Sequence, residues 1–188
     1  NGTPGAEPEG GDDAEEQGMK LLVIRHGVAG TRDEWAGTGR PDTQRPLTDE
    51  GRKKMRRAAR GLRTVVPRID VLASSPLVRA TQTAEIVATE YGDLPFDAIA
   101  ELSPERRPDE LLGWLRSQKP GSTVAVVGHE PHLGFLAGWL LTGRNDSFVD
   151  FKKGGAVLLE FDDPPAGGNA VLAWALPPRL LRALGKGK

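Results

Sequence analysis

From Lys20 onward, short apolar runs alternate with longer stretches in which apolar residues recur every three or four positions. Residues 21–24 and 124–127 are wholly apolar, the pattern of strands buried on both faces of a sheet. Further strands are predicted over 69–73, 96–100, 156–161 and 170–175, the last two joined by a Pro- and Gly-rich loop. Between them lie helix signatures. Thr48 reads as an N-cap with Asp49 and Glu50 in the first turn, and Met55, Ala58, Ala59, Leu62 and Val66 then form one apolar stripe. Its opposite face carries Lys53, Arg56, Arg57 and Arg60, which alone reads as a solvated helix face. Ser75 as cap and Pro76 at the first helical position open a second helix that runs to about Tyr91 and stops at Gly92. Pro108 opens a third through Leu115, residues 131–141 make a fourth ending near Gly143, and Pro177-Pro178 starts a short last one. Residues 28–46 read as a polar loop. The alternation predicts a single three-layer α/β/α domain: a mainly parallel central sheet with helices on both faces.

Composition narrows this picture. Residues 1–18 are rich in Gly and Pro and carry Glu7, Glu9, Asp12, Asp13, Glu15 and Glu16 without a basic partner. Such a segment has little apolar surface to offset its ordering entropy, so it is predicted to be a tail outside a 19–188 domain. The formal net charge of −1 argues for no global attraction to nucleic acid or membrane. With no cysteine, disulfide and thiolate chemistry are excluded. No apolar run approaches the ~20 residues that span a bilayer, and nothing resembles a secretory signal, so a cytoplasmic location is expected.

The candidate chemistry sits where two apolar runs end. In α/β sheets, ligands bind at the carboxyl ends of the strands. One run ends Arg25-His26-Gly27 and another ends Gly128-His129-Glu130-Pro131. A lone histidine is more often structural. Two at matching strand ends, each beside a glycine that lets backbone and ligand approach closely, favour a functional reading. Arginine supplies the rest: Arg25 itself, Arg45 in Arg45-Pro46-Leu47-Thr48, and Arg79 near the start of the helix after the 69–73 strand. Singly, each is as readily a surface residue. Together they read as a cage for phosphoryl oxygens, because the guanidinium fork matches those oxygens and stays charged. Three histidines without a matched carboxylate cluster, amid arginines, imply no metal and no cofactor.

The Arg-His-Gly triplet, the Ser-Pro-Leu-x-Arg-Ala-x-Gln-Thr-Ala segment at residues 75–84 and the later Gly-His together resemble the histidine phosphatase (phosphoglycerate mutase-like) superfamily. Arg45-Pro46-Leu47-Thr48, Glu101-Leu102-Ser103-Pro104 and Gly128-His129-x-Pro131 resemble most closely its small SixA-type phosphohistidine phosphatases. The stretch between Arg79 and His129 is short where larger members carry insertions over the pocket. That implies an open site suited to a phosphorylated side chain on another protein.

The resemblance implies that His26 attacks phosphorus and becomes a phosphohistidine, that Arg25, Arg45 and Arg79 bind the phosphoryl oxygens, and that His129 completes the cage. The expected partner is a phosphorylated protein of the histidine phosphotransfer type. A small phosphorylated metabolite, or a phosphate-binding module without turnover, stands as the alternative. Glu101 is the expected proton donor and Glu130 its rival, and either reads equally as a cap or surface carboxylate. His132 reads as structural. Trp35 reads either as a rim residue or as packing for its loop. Sparse aromatics beside the basic helix face argue against nucleic acid.

Overall fold

In a computed structural model, residues 18–186 are described. Six strands make one sheet: β1 (Met19–Arg25), β2 (Val71–Ser74), β3 (Phe96–Ala98), β4 (Thr123–Gly128), β5 (Ala156–Phe161) and β6 (Val171–Leu176). Their order is β3-β2-β4-β1-β5-β6. The pairs β2–β3, β2–β4 and β1–β4 are parallel, while β5 pairs antiparallel with both β1 and β6. The sheet is therefore mainly parallel, with an antiparallel edge made by the last two strands. The expected acidic tail falls almost wholly on residues outside those described.

Alternation along β1 explains the layers. Leu21 and Val23 enter one core with Leu111 and Leu115 of α4 (Leu111–Arg116) and Leu133, Leu136 and Leu140 of α5 (His132–Thr142). Leu22 and Ile24 point the other way. They join Met55, Ala58 and Leu62 of α2 (Asp49–Val65), Ala84 and Val87 of α3 (Val78–Glu90) and Leu181 of α6 (Pro178–Leu184). A strand buried on both faces needs apolar residues at every position, which is why the 21–24 run lacks polar alternation. Among the described residues, no helix is long and apolar enough to cross a membrane.

Thr48 caps α2 as expected, accepting a hydrogen bond from the Gly51 N–H at 2.9 Å. Three other expectations shift. The 28–46 loop holds a short helix, α1 (Arg32–Ala36), capped by Thr31, and a 3-10 turn (Asp42–Gln44). Ser75 does not cap a helix starting at Pro76. Its Oγ meets the Leu77 N–H at 3.3 Å and His129 Nε2 at 2.8 Å, and α3 begins at Val78. At Pro108 a 3-10 turn (Pro108–Glu110) precedes α4.

Candidate active site

Arg25 ends β1 and His26 follows it, and their backbone is pinned from two sides. The His26 N–H donates to the Gly128 carbonyl at 3.0 Å and the Arg25 N–H to the Gly155 carbonyl at 3.1 Å. The Gly154 N–H returns to the carbonyls of Arg25 and His26 at 3.1 and 3.0 Å, from a left-handed φ of 79° that glycine adopts without strain. The third residue is held by a side chain. The Gly27 N–H donates to Thr83 Oγ1 at 3.0 Å, and that hydroxyl donates to the Arg79 carbonyl at 2.8 Å. The Gln82 side-chain oxygen accepts from the Leu47 N–H at 2.8 Å. Gln82 and Thr83 thus tie the Arg45 loop and the histidine turn to one helix, so their place in the motif is positional.

The result is a cavity of about 630 Å³ lined by Arg25, His26, Arg45, Arg79, His129 and Glu130 among others. His26 is 6% exposed, and its Nδ1 lies 2.7 Å from the Gly27 carbonyl. That contact fits a neutral ring carrying its proton on Nδ1, which leaves Nε2 free. Burial, opposed by the Gly27 hydrogen bond and reinforced by Arg79, Arg25 and Lys153, pushes His26 down to about 3. His129 is 2% exposed, and its ring centroid lies 5.0 Å from that of His26. Burial and the neighbouring charges push it down to about 2. Both imidazoles are therefore neutral near pH 7.

The arginines are arranged by partners the sequence did not reveal. Arg45 Nε meets Asp42 Oδ1 at 2.7 Å, and its Nη1 donates to the Gly30 carbonyl at 2.6 Å. Arg79 Nη1 donates to the Asp42 backbone carbonyl at 3.0 Å, and its Nη2 stands 3.2 Å from Asp42 Oδ2. One aspartate therefore orients two guanidiniums, which hold its carboxyl below the usual carboxylate range. Arg25 Nη1 donates to the Phe151 carbonyl, and the Nε atoms of Arg25 and Arg79 are buried without a partner among the described residues. Lys153 also lines the pocket; burial and then Arg25, Arg45, Arg32 and Arg79 push its pKa down. The pocket's cations outnumber its carboxylates, as an oxyanion site requires.

Arg25, His26, Arg45, Arg79 and His129 thus meet in one pocket. Glu101 does not line it. The carboxylates that do are Asp42, Glu105 and Glu130. Glu130 is half-buried, its Oε1 has no partner among the described residues, and desolvation pushes its pKa up to about 7. His132 is buried on α5 outside the lining, with both ring nitrogens unpartnered among the described residues. Trp35 lies outside it too, and its indole N–H donates to the Pro41 carbonyl at 3.0 Å. Asp42 and Lys153 were missed because neither sits in a recognisable motif. For α1, Thr31-x-x-Glu34 was a readable capping signal: Thr31 Oγ1 accepts the Glu34 N–H and donates to its carboxylate. Among the described residues, no group of three or more His, Asp or Glu is placed to hold a metal ion.

A mainly parallel α/β sheet whose strand ends gather arginines around two neutral histidines defines an oxyanion-handling α/β enzyme. Comparison with known proteins narrows that class. Residues 21–104 match the profile of the histidine phosphatase superfamily (branch 1). An uncharacterised protein of Picosynechococcus is 33% identical over 142 residues, 74% of this chain and 83% of that one. Phosphohistidine phosphatase SixA of Escherichia coli is 29% identical over 167 residues, 85% of this chain and 94% of its own. A solved structure of the protein histidine phosphatase SixA, complexed with tungstate, superposes with a TM-score of 0.74 at 26% identity, covering 87% of this chain and 99% of that one. The chain belongs to the histidine phosphatase superfamily, and within it to the SixA type. The phosphoglycerate mutase-like fold expected from the sequence is the fold observed.

Proposed function

We propose that this protein is a phosphatase that forms a phosphohistidine on His26 and removes phosphate from phosphohistidine on a phosphotransfer protein. The observation that carries the proposal is the free Nε2 of a neutral His26 inside the arginine pocket, its other nitrogen held by the Gly27 carbonyl. Nε2 attacks phosphorus as the bond to the substrate's imidazole nitrogen breaks. The departing imidazole keeps the proton it carries, and water then cleaves the new P–N bond to release phosphate. Arg25, Arg45 and Arg79 neutralise the equatorial oxygens, and His129 closes the cage from the β4 side. The tungstate held by the related SixA structure is an oxyanion of the kind such a pocket takes.

Glu130 favours a second reading, a phosphomonoesterase for small metabolites. An alkoxide leaving group needs an acid, and a half-buried carboxyl at about 7 supplies one. A group raised to that value is protonated below it. Ester turnover would therefore fall as pH rises through about 7, and Glu130→Gln would erase that limb. Phosphohistidine turnover would show no limb that Glu130→Gln erases, because its leaving imidazole brings its own proton. His26, held at about 3, stays neutral across the whole assay range and contributes no acid limb above that value.

The deciding experiment is a panel of a phosphohistidine protein, an aryl phosphate and a set of sugar phosphates, with ³²P trapping on His26. Preference for the phosphohistidine protein is expected, with label lost in His26→Ala and turnover down by more than the about 10²–10³ of a lost oxyanion donor. Strong preference for a sugar phosphate would sink the leading reading, and near-normal turnover by His26→Ala would sink the covalent mechanism.

A further inference from the structure

The pocket does not end at its own rim. Lys153 lines it and also lines a narrow cleft whose other walls include Gly27, Lys54 and Arg182. Arg182 in turn lines a depression of about 460 Å³ together with Arg57, Arg179 and Lys186. Shared walls thus connect the mouth of the catalytic pocket to a groove between α2 and α6. Close packing makes that groove: a Cβ on Gly61 would stand 1.9 Å from the Leu181 carbonyl oxygen, and one on Gly185 would stand 1.9 Å from that of Arg57. Only glycines let the two helices approach so closely, and the approach sets the cations of α6 beside those of α2.

The charges on this track are unanswered. Arg57, Arg179, Arg182 and Lys186 stand in no ion pair among the described residues, and Lys54 meets only exposed Glu50, at 3.6 Å. Among the described residues, no carboxylate lines the cleft or the groove. Solvated surfaces usually intersperse both signs, because like charges in a row repel. Leu180, 43% exposed, sits among the groove's cations and gives it an apolar contact point. Among the described residues, no aromatic lines the track, which leaves it without the stacking platforms that single-stranded nucleic acid uses.

We infer that α2 and α6 form a docking surface for an acidic protein face, which delivers a phosphorylated side chain along the basic track to His26. The inference rests on the phosphohistidine-protein reading above. Charge complementarity defines the partner, and continuity with the catalytic pocket explains why the surface lies where it does. The sequence alone showed one basic helix face. The fold supplies the second helix and the connection.

The test compares the full chain with Arg57→Glu/Arg179→Glu and with the charge-conserving Arg57→Lys/Arg179→Lys. Substrates are an acidic phosphotransfer domain carrying phosphohistidine, a basic phosphohistidine protein, and an aryl phosphate. Charge reversal is expected to cut kcat/KM for the acidic phosphoprotein by about tenfold or more at low salt and to flatten its salt dependence. The aryl phosphate rate should stay within about twofold, and the lysine pair should behave as the native chain. An unchanged aryl phosphate rate also certifies that the variants fold. Equal turnover of the acidic phosphoprotein before and after reversal overturns the docking surface alone. Failure of the native chain on every phosphoprotein overturns the reading beneath it, and this one with it. Two other occupants are checked in parallel, and either result overturns the proposal. One is a full chain with Glu7, Glu9, Asp12, Asp13, Glu15 and Glu16 changed to amides, in which reversal loses its effect. The other is reversal-sensitive binding to phosphatidylglycerol–phosphatidylcholine vesicles with phosphoprotein turnover unchanged.

Discussion

Arg25, His26 and His129 stand at or just beyond the ends of β1 and β4, whereas Asp42 and Arg45 come from the loop before α2, and the two groups are held by different means. The strand-end group is fixed by backbone and hydroxyls: the carbonyls of Gly128 and Gly155 and the Gly154 N–H hold Arg25 and His26, the Thr83 hydroxyl holds Gly27, and Ser75 Oγ meets His129 Nε2. Both rings are buried and neutral. The loop group is fixed by charge, through an Asp42 carboxylate whose side chain is 45% exposed. The proposed nucleophile therefore needs no ion pair to stay in place, while part of the cage proposed to receive the phosphoryl group depends on one. Arg79 belongs to both groups. Its helix carries Thr83, and its guanidinium meets Asp42.

That contrast predicts a graded set of losses. Arg79→Ala removes a charge-stabilising donor and should lower kcat by about 10²–10³. Asp42→Ala should cost far less. The Asp42 backbone carbonyl that receives Arg79 Nη1 survives the substitution, and only the partly exposed carboxylate is lost. Each of its two pairs contributes about 1 kcal/mol or less, so a rise in KM of roughly five- to thirtyfold is expected, with kcat nearly unchanged. Steady-state kinetics on an aryl phosphate separates the two. If Asp42→Ala matched Arg79→Ala in kcat, the loop could not be called a receiving half, because it would be setting the chemistry.

Thr83→Val probes the strand-end half without touching a charge. The replacement has nearly the same shape but leaves the buried Gly27 N–H without its partner, while the Arg79 carbonyl keeps its helical bond. Leaving a buried donor unsatisfied costs about 1–3 kcal/mol, which a shift in the urea midpoint would report. The turnover rate should fall as well, because Gly27 supplies the carbonyl that fixes the His26 tautomer. Unchanged stability would show that another group takes over the Gly27 N–H, and the account of the triplet's anchoring would have to change.

The same division explains what could be read from the sequence. Strand-end residues are legible because two physical signals coincide there, a wholly apolar run and a polar residue at its carboxyl end. His26, Arg25 and His129 were found that way, and Arg79 by its place at the start of the next helix. Asp42 was not legible. Its two arginines lie 3 and 37 positions away, and a lone acid in a polar loop carries no period to mark it. The same blindness affected Lys153, which the strand order alone brings to the pocket. Glu101 was named because of where it falls along the chain, yet the segment that carries it lends the pocket Pro104 and Glu105 instead. Chain position predicted the segment and not the side chain: Glu101 lies in a 3-10 turn over Ala100–Leu102 and does not line the cavity.

The smallest effect belongs to Trp35, and it sharpens the comparison from the loop side. Its indole N–H reaches the Pro41 carbonyl at 3.0 Å, and the Arg40 guanidinium lies 5.8 Å from its ring centroid. Both contacts lie within the loop, one residue short of Asp42. Trp35→Phe keeps an aromatic face for Arg40 and deletes only the N–H. A single hydrogen bond at so exposed a place contributes at the low end of about 0.5–1.5 kcal/mol, so kcat/KM on an aryl phosphate should stay within about twofold of native. Hydrogen exchange is the finer measurement, because loosening Pro41 should speed exchange at the Gln44 and Arg45 amides, which donate to the Pro41 and Asp42 carbonyls. Faster exchange there with a preserved rate would mean that the receiving half tolerates motion that the strand-end half does not. A loss of kcat/KM as large as that of Asp42→Ala would instead make Trp35 the anchor and Asp42 its dependent.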